Sequence, residues 1–317
     1  MMWLRNGLMI LVWGSILVST ALAQQMGGAT ETQLKGTLQV SGVLEIIDDG
    51  QVDWTNGQIQ ALGIGVPPEG ETGAKARLMA REAAIVIAER NLVKVVHGIH
   101  ISSETTVVNL TFESDVIREN VKGFIKGAVI LSEKELPDGS YEVVMALNMY
   151  GSENSLARSI DLPAQAEQII SKPMVTVEPK PEVEPTPNPP EEVKTVEPMT
   201  EDEGYTGLII DCRGLPLYRC MCPEILDHNG RNLWATVKIP EDLLVNKGLV
   251  AYYNSLEEAI NKNRVGQNPL VVKAEDMVGP NIFKSNAVIS DADAARIVAE
   301  NNRTHFLENL AVGFLEG

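Results

Sequence analysis

Apolar and polar residues alternate along much of the chain with the periods of short strands and helices. From Leu34 to Ile46 apolar residues recur at even-numbered positions with polar residues between them, which predicts a half-buried strand. Asp48-Asp49-Gly50 then predicts a turn. Residues 127–134 and 141–149 predict two further strands, which the turn-forming residues between them would join as a hairpin.

A long helix is predicted between these strand regions. Residues 72–97 carry alanines and larger apolar residues at helical spacing, and Gly98 stands where a helix is expected to end. The stripe of small residues predicts close packing against a sheet, and a cofactor-binding segment is the rival interpretation. Residues 99–112 are rich in β-branched residues and predict an extended segment. Ser114 is the predicted N-cap of a short helix that follows.

The last third of the chain mixes strands and helices in the same way. Strands are predicted at 207–211, 249–253, 270–274 and 307–315, a hairpin at 223–226 and 233–237, and helices at 255–261 and 290–302. We therefore expect an α+β protein built from two small α/β-type modules with mixed sheets.

An acidic, proline-rich stretch separates the two modules. Residues 173–204 contain eight of the 17 prolines, and their nine acidic residues face two lysines, a net charge of −7. Proline fixes φ and lacks an N–H, and like charges repel, so we expect an extended spacer. A docking segment for a proline-binding partner is the alternative. The predicted organisation is an N-terminal domain at 24–172, this linker, and a C-terminal domain at 205–317.

The first 23 residues have the pattern of a secretory signal peptide. Arg5 supplies a positive charge, Gly7 to Val18 is apolar, and Ala21-Leu22-Ala23 is a small-residue cleavage signal. A membrane-anchoring helix is the alternative, but the apolar run is shorter than the ~20 residues that a span needs. No cysteine lies near the cleavage site, so a direct lipid anchor is not expected. We predict an exported protein, in the periplasm or associated with the outer membrane.

The net charge and the cysteine spacing limit the partners and the metal or redox sites that the protein is expected to have. With 26 basic against 43 acidic residues the net charge is −17, which argues against nucleic acid as a partner. The three cysteines, Cys212, Cys220 and Cys222, lie in one short segment. A disulfide from Cys212 to Cys220 or Cys222 and three buried free thiols are both compatible with this spacing, and thiol chemistry at Cys220 and Cys222 is a third hypothesis. The spacing fits neither zinc nor haem ligation.

Several short blocks together resemble a known family. The blocks are 52–57, 63–68, the alanine-rich helix ending at Gly98, 103–107, Gly123, 127–128, 138–143 and 150–151. Together they resemble the LPP-twenty lipoprotein family and the N-terminal domain of the flagellar assembly protein T group, over residues 50–151. Residues 206–214 and 268–274 are similar to a C-terminal extension of some envelope proteins of that group.

This resemblance implies an exported envelope protein, in one branch associated with the flagellar basal body, and it brings no catalytic residues. From the residues themselves, Gly63, Gly65, Gly98, Gly123 and Gly127 are expected to adopt positive φ or to allow close backbone approach. Trp54 is expected to pack in the core, and an exposed contact residue is the alternative.

No catalytic constellation is found along the chain. His97 and His100 lie three residues apart, but they lack an evident third metal ligand, and Asp291 and Asp293 are explained by their place in a first helical turn. We expect no cofactor, no metal and no enzymatic activity. The predicted function is a non-catalytic envelope protein that binds other envelope proteins or copies of itself, with a periplasmic ligand-binding protein or enzyme using a pocket in the C-terminal domain as the alternative.

Overall fold

The computed structural model describes residues 42–171, the N-terminal half, and residues 204–317, the C-terminal half. The predicted signal peptide, the strand positions before residue 42 and all of the linker except Gly204 lie outside the described residues. Among the described residues, no helix combines the length and the apolar character that a membrane crossing requires.

The N-terminal half is built on an antiparallel sheet of five strands. They are β1 (Leu44–Ile47), β2 (Gly50–Asp53), β3 (Gln58–Gly65), β4 (Val129–Glu135) and β5 (Tyr141–Asn148). Their order in the sheet is β1-β2-β3-β5-β4. The turn at Asp48 and Asp49 joins β1 to β2, and β4 and β5 form the predicted hairpin. The strand predictions at 127–134 and 141–149 are therefore confirmed, and the one at 34–46 is confirmed for its described end, whereas β2 and β3 add to the predicted elements.

Helix α1 (Gly73–Gly98) lies on this sheet and buries its alanine stripe against β3. A Cβ added at Gly63 would overlap the carbonyl oxygen of Ala84, and one at Gly65 would overlap that of Ala80. The helix and the strand therefore approach closely because both surfaces carry minimal side chains. The predicted close packing is confirmed, and it arises without positive φ at either glycine.

The predicted extended segment at 99–112 is wrong over its second part. Val107–Glu113 forms helix α2, although valine and threonine favour strands. Thr106 caps it: the hydroxyl accepts a hydrogen bond from the backbone N–H of Asn109, and the Asn109 side chain accepts one from the backbone N–H of Thr106. This reciprocal cap satisfies the first free donors of the helix and outweighs the strand propensity.

Further helices complete the described part of the N-terminal half. Ser114 caps helix α3 (Asp115–Lys126), as predicted: its Oγ accepts from the backbone N–H of Ile117. Gly123 lies inside α3 with open space around it and without positive φ, so the expectation of a backbone role for this glycine is wrong. Helices α4 (Leu156–Ser159) and α5 (Leu162–Ile170) follow the sheet.

The C-terminal half contains two small sheets. The strands are β6 (Gly207–Asp211), β7 (Ile225–Leu226), β8 (Ala251–Tyr253), β9 (Pro269–Lys273), β10 (Asp276–Val278), β11 (Asn286–Val288) and β12 (Val312–Leu315), and the helices are α6 (Glu241–Lys247), α7 (Leu256–Asn261) and α8 (Asp291–Thr304). The larger sheet is fully parallel, in the order β8-β12-β6-β9, and the smaller has the order β10-β11-β7. The α+β class is confirmed.

Some details of this half differ from the prediction. The predicted strand at 233–237 is wrong: Leu233–Thr236 is a 3₁₀ helix, because the Asn232 side chain accepts a hydrogen bond from the backbone N–H of Trp234 and begins a turn. The last strand starts at Val312 rather than near residue 307, since Leu310 adopts a left-handed conformation before it. Strands β10 and β11 and helix α6 add to the predicted elements.

The hydrophobic core is continuous between the two halves. Trp54, predicted as a core residue, is 3% exposed and packs against Tyr252. The backbone N–H groups of Met221 and Cys222 donate to the carbonyl oxygens of His100 and Ile101 at 2.9 and 2.8 Å. The modules expected on either side of a spacer therefore pack against each other directly.

Candidate functional site

An apolar groove with a volume of about 630 Å³ lies between helices α1, α2 and α3. Val121 and Ile125 of α3 are buried at its base. Val86 of α1 and Phe112 of α2 stand at its rim and are 52% and 81% exposed. A phenylalanine this exposed beside further apolar surface is typical of an interaction site.

The sequence forms the groove through the corner between α2 and α3. The backbone N–H of Ser114 donates to the carbonyl of Leu110 at 3.0 Å and ends α2, while the Ser114 hydroxyl begins α3. One serine thus serves both helices, and α3 starts directly where α2 stops. Leu110 faces the core from α2, whereas Phe112 points away from it. The corner therefore leaves Phe112 beside the groove.

The charged residues around the groove are mostly basic. Lys122 and Arg118 are paired on their own helix, and the Lys122 ammonium lies 2.8 Å from Glu119. Arg90 and Lys126 line the groove and have no ion pair among the described residues. These two cations belong to a strongly acidic protein, so the groove differs in charge from most of the surface.

His97 also lines the groove. Its half-buried position lowers the pKa of the imidazole, because burial disfavours the charged form. His100, three residues on, stacks instead on the ring of Phe283 with centroids 4.5 Å apart. The two histidines therefore have different surroundings, and the described residues contain no group of three or more metal-binding side chains.

The three cysteines are free thiols and all are buried. Burial raises the pKa of Cys220 to about 12 and also raises the pKa of Cys212 and Cys222. The thiolate is the reactive form of cysteine, and a raised pKa disfavours it. The segment has a packing role as well: the backbone N–H of Cys220 donates to the Tyr252 hydroxyl, which in turn donates to the Cys220 carbonyl at 2.8 Å.

The acidic residues considered as a metal pair have structural partners. Ser290 caps α8 through the backbone N–H of Asp293, and Asp291 accepts a hydrogen bond from the backbone N–H of His228. Both carboxylates lie in the first turn of the helix, where the macrodipole stabilises negative charge.

The groove between α1, α2 and α3 could not be predicted from the sequence pattern, because residues 107–113 have the composition of an extended segment.

Comparison with known proteins gives a match for the C-terminal half. Residues 207–316, about a third of the chain, match the family model of the second domain of Treponema pallidum Tp0624. A search of curated proteins gives no significant match. The resemblance of residues 50–151 to the LPP-twenty family remains a prediction from the sequence.

Proposed function

We propose that this protein is a non-catalytic component of the cell envelope that binds an acidic amphipathic helix of a partner protein in the groove between α1, α2 and α3. The observation that carries the proposal is the exposure of Phe112 beside an apolar groove edged by cations without an ion pair among the described residues. The secretory signal pattern at residues 1–23 and the resemblance to LPP-twenty envelope proteins support the location.

The shape of the groove favours a helix as its occupant. Three helices form its walls, its base is apolar, and the side chains at its rim are exposed to solvent. An amphipathic helix binds such a groove by inserting apolar residues spaced three and four positions apart. The exposed ring and the branched side chain at the rim, Phe112 and Val86, would flank the inserted residues.

The charges favour an acidic helix. Arg90 on α1 and Lys126 on α3 come from different walls of the groove, and neither forms an ion pair among the described residues, although Lys126 lies close enough to Glu119 to help lower the pKa of that carboxyl. Complementary charges on the two sides of an interface raise the association rate and select the correct partner. Acidic residues flanking the apolar stripe of the partner would meet both cations.

Site-specific photo-crosslinking in intact cells tests the proposal. A benzoylphenylalanine at position 112 is expected to crosslink to a partner peptide, and mass spectrometry should map the adduct to an acidic segment with helical apolar spacing. The double variant Arg90→Glu, Lys126→Glu should lose most of the adduct. The same probe at Ile282, which is exposed in the other half, serves as the control.

Three outcomes would contradict the proposal. One is an adduct that is equally abundant from positions 112 and 282. The second is an adduct that maps to a basic or non-helical segment. The third is an adduct that persists in the double charge variant.

Binding of a small ligand is a second candidate function, and a separate cavity favours it.

A further inference from the structure

A smaller, polar cavity of about 200 Å³ lies where the two halves meet. Asn56, Asn148 and Tyr150 line it from the N-terminal half, and Lys247 and Arg264 line it from the C-terminal half. A backbone hydrogen bond from Gly151 to the carbonyl of Val245, 2.9 Å long, joins the two sides beside it. The cavity is therefore built from both halves.

Arg264 is held rigidly at this cavity. Its Nε donates to the carbonyl oxygen of Leu310 at 3.0 Å, and its two Nη atoms donate to those of Lys247 and Gly248 at 2.5 and 2.7 Å. The last two bonds satisfy carbonyls at the C-terminal end of α6. Together the three bonds use three of the five N–H donors of the guanidinium, and two remain for a ligand.

The positive charge of Arg264 is not neutralised by a carboxylate. All three of its acceptors are backbone carbonyls, and its side chain makes no other hydrogen bond or ion pair among the described residues. Desolvation lowers the pKa of Arg264 from its ordinary value, yet a guanidinium stays protonated in proteins. A fixed, half-buried cation of this kind is a strong partner for an anion.

The neighbouring groups add donors without adding negative charge. Lys247 has no ion pair, and the Tyr150 hydroxyl and the Asn148 amide have no side-chain hydrogen bond, within the described residues. At the edge of the cavity the ammonium of Lys262 donates to the Asn56 side-chain oxygen at 2.6 Å. In the part of the chain that the structure describes, no aspartate or glutamate lines the cavity, although the protein has 43 of them.

We propose that this cavity binds a phosphate group, either as free phosphate or as a small phosphate monoester. Arg264 and Lys247 supply two positive charges, which match a phosphate near its dianionic state. With Tyr150 and Asn148 they offer more donors than the two oxygens of a carboxylate accept, whereas a phosphate monoester presents three such oxygens. The volume accommodates the phosphate with a small substituent but no larger cofactor.

The proposal does not depend on the helix-binding groove, which lies between α1, α2 and α3. A phosphate in this cavity would contact both halves at once. Because a ligand that binds only the folded state stabilises that state, phosphate should raise the unfolding temperature of the whole protein.

Calorimetric titration of the full chain with sodium phosphate tests the proposal, with glycerol 3-phosphate, glycerol and sodium acetate as further probes at constant ionic strength. We expect saturable binding of phosphate or glycerol 3-phosphate and none of glycerol. Tighter binding of glycerol 3-phosphate than of phosphate would identify the monoester as the ligand class, and the reverse order would identify the free ion. Acetate binding as tight as that of both phosphates would overturn the assignment.

Single-residue variants test whether the phosphate binds in this cavity. Lys247→Gln should weaken phosphate binding at least about tenfold, since a charge-assisted hydrogen bond contributes more than a neutral one. Lys247 is exposed and its side chain has no ion pair among the described residues, so the variant should fold normally. Lys238→Gln changes the net charge equally at another exposed lysine and should leave binding unchanged. Equal affinities of the two variants would overturn the site.

Discussion

The indole ring of Trp54 meets the phenol ring of Tyr252 edge-on, with the ring centroids 5.5 Å apart. The indole N–H donates to Glu45 at 2.7 Å, and the hydroxyl of the adjacent Thr55 donates to the carbonyl oxygen of Tyr252 at 2.6 Å. An edge-to-face pair adds a specific attraction to the area that both rings bury. This contact therefore joins the antiparallel sheet of one half to the parallel sheet of the other.

Trp54→Ala should destabilise the whole protein by about 3–5 kcal/mol, because it leaves a cavity between the halves. Urea unfolding followed by circular dichroism measures the change. Since the core is continuous, we expect a single transition for the unmodified protein. Ile282→Ala, at a side chain that is 62% exposed, should change the free energy of unfolding little. Equal effects of the two substitutions would contradict the role of Trp54.

Two glycines form a matched pair for testing the contact between α1 and β3. Gly63→Ala should destabilise the fold by ~1–3 kcal/mol or more, because the new Cβ would overlap backbone atoms of α1. Gly123→Ala in α3 places the same methyl group where nothing lies within 4 Å, and alanine favours a helix interior. It should stabilise the protein by up to ~1 kcal/mol. Thermal unfolding of both variants measures the two changes in stability. An unchanged unfolding temperature in Gly63→Ala would count against the close packing of α1 on β3.

Burial raises the pKa of Glu45 above its ordinary value of 4.5, although the hydrogen bond from Trp54 partly offsets this effect. The folded protein therefore holds the Glu45 proton more tightly than the unfolded chain does. The stability from this group is fully present below about pH 4.5 and is lost as the pH rises through the folded pKa. Glu45→Gln should stabilise the protein at about pH 7 and not at about pH 4. A stability difference that is constant between these pH values would refute this account.

The thiols of Cys212, Cys220 and Cys222 should resist labelling in the folded protein, since all three are buried with raised pKa values. A chromogenic disulfide reagent should report close to zero reactive thiols before unfolding and three after it, without reductant. One thiol after unfolding would instead indicate a disulfide between two of them. Rapid labelling of the folded protein would support the thiol-chemistry hypothesis.

The elements that could be predicted are those whose local signals agree with their tertiary setting. The α1 helix has helical spacing, a small-residue face and a glycine at its end, and the strand that it covers has glycines at matching positions. The hairpin of β4 and β5 has a turn sequence between its strands, and apolar residues recur at every second position of β5. In both cases propensity, pattern and packing lead to the same structure.

Helix α2, the groove and the polar cavity could not be predicted from the sequence, because helix caps and contacts between residues far apart in the chain determine them. Val107 and Val108 favour a strand by composition, yet the reciprocal cap at Thr106 and Asn109 begins a helix there. The groove depends on that helix and on residues from α1 and α3, so no single stretch of sequence contains it. The role of Arg264 could not be predicted either, because the carbonyl groups that hold its guanidinium lie at positions 247, 248 and 310.

Strand β12 lies in the interior of the parallel sheet, between β6 and β8. Val312–Leu315 follows every other strand of that sheet along the chain, so β6 and β8 have no neighbour between them until these residues are available. During synthesis β6 can pair with β9 early, but β8 can join them only after Val312–Leu315 has left the ribosome, so the four-stranded sheet is completed by residues made more than 35 positions after its other strands.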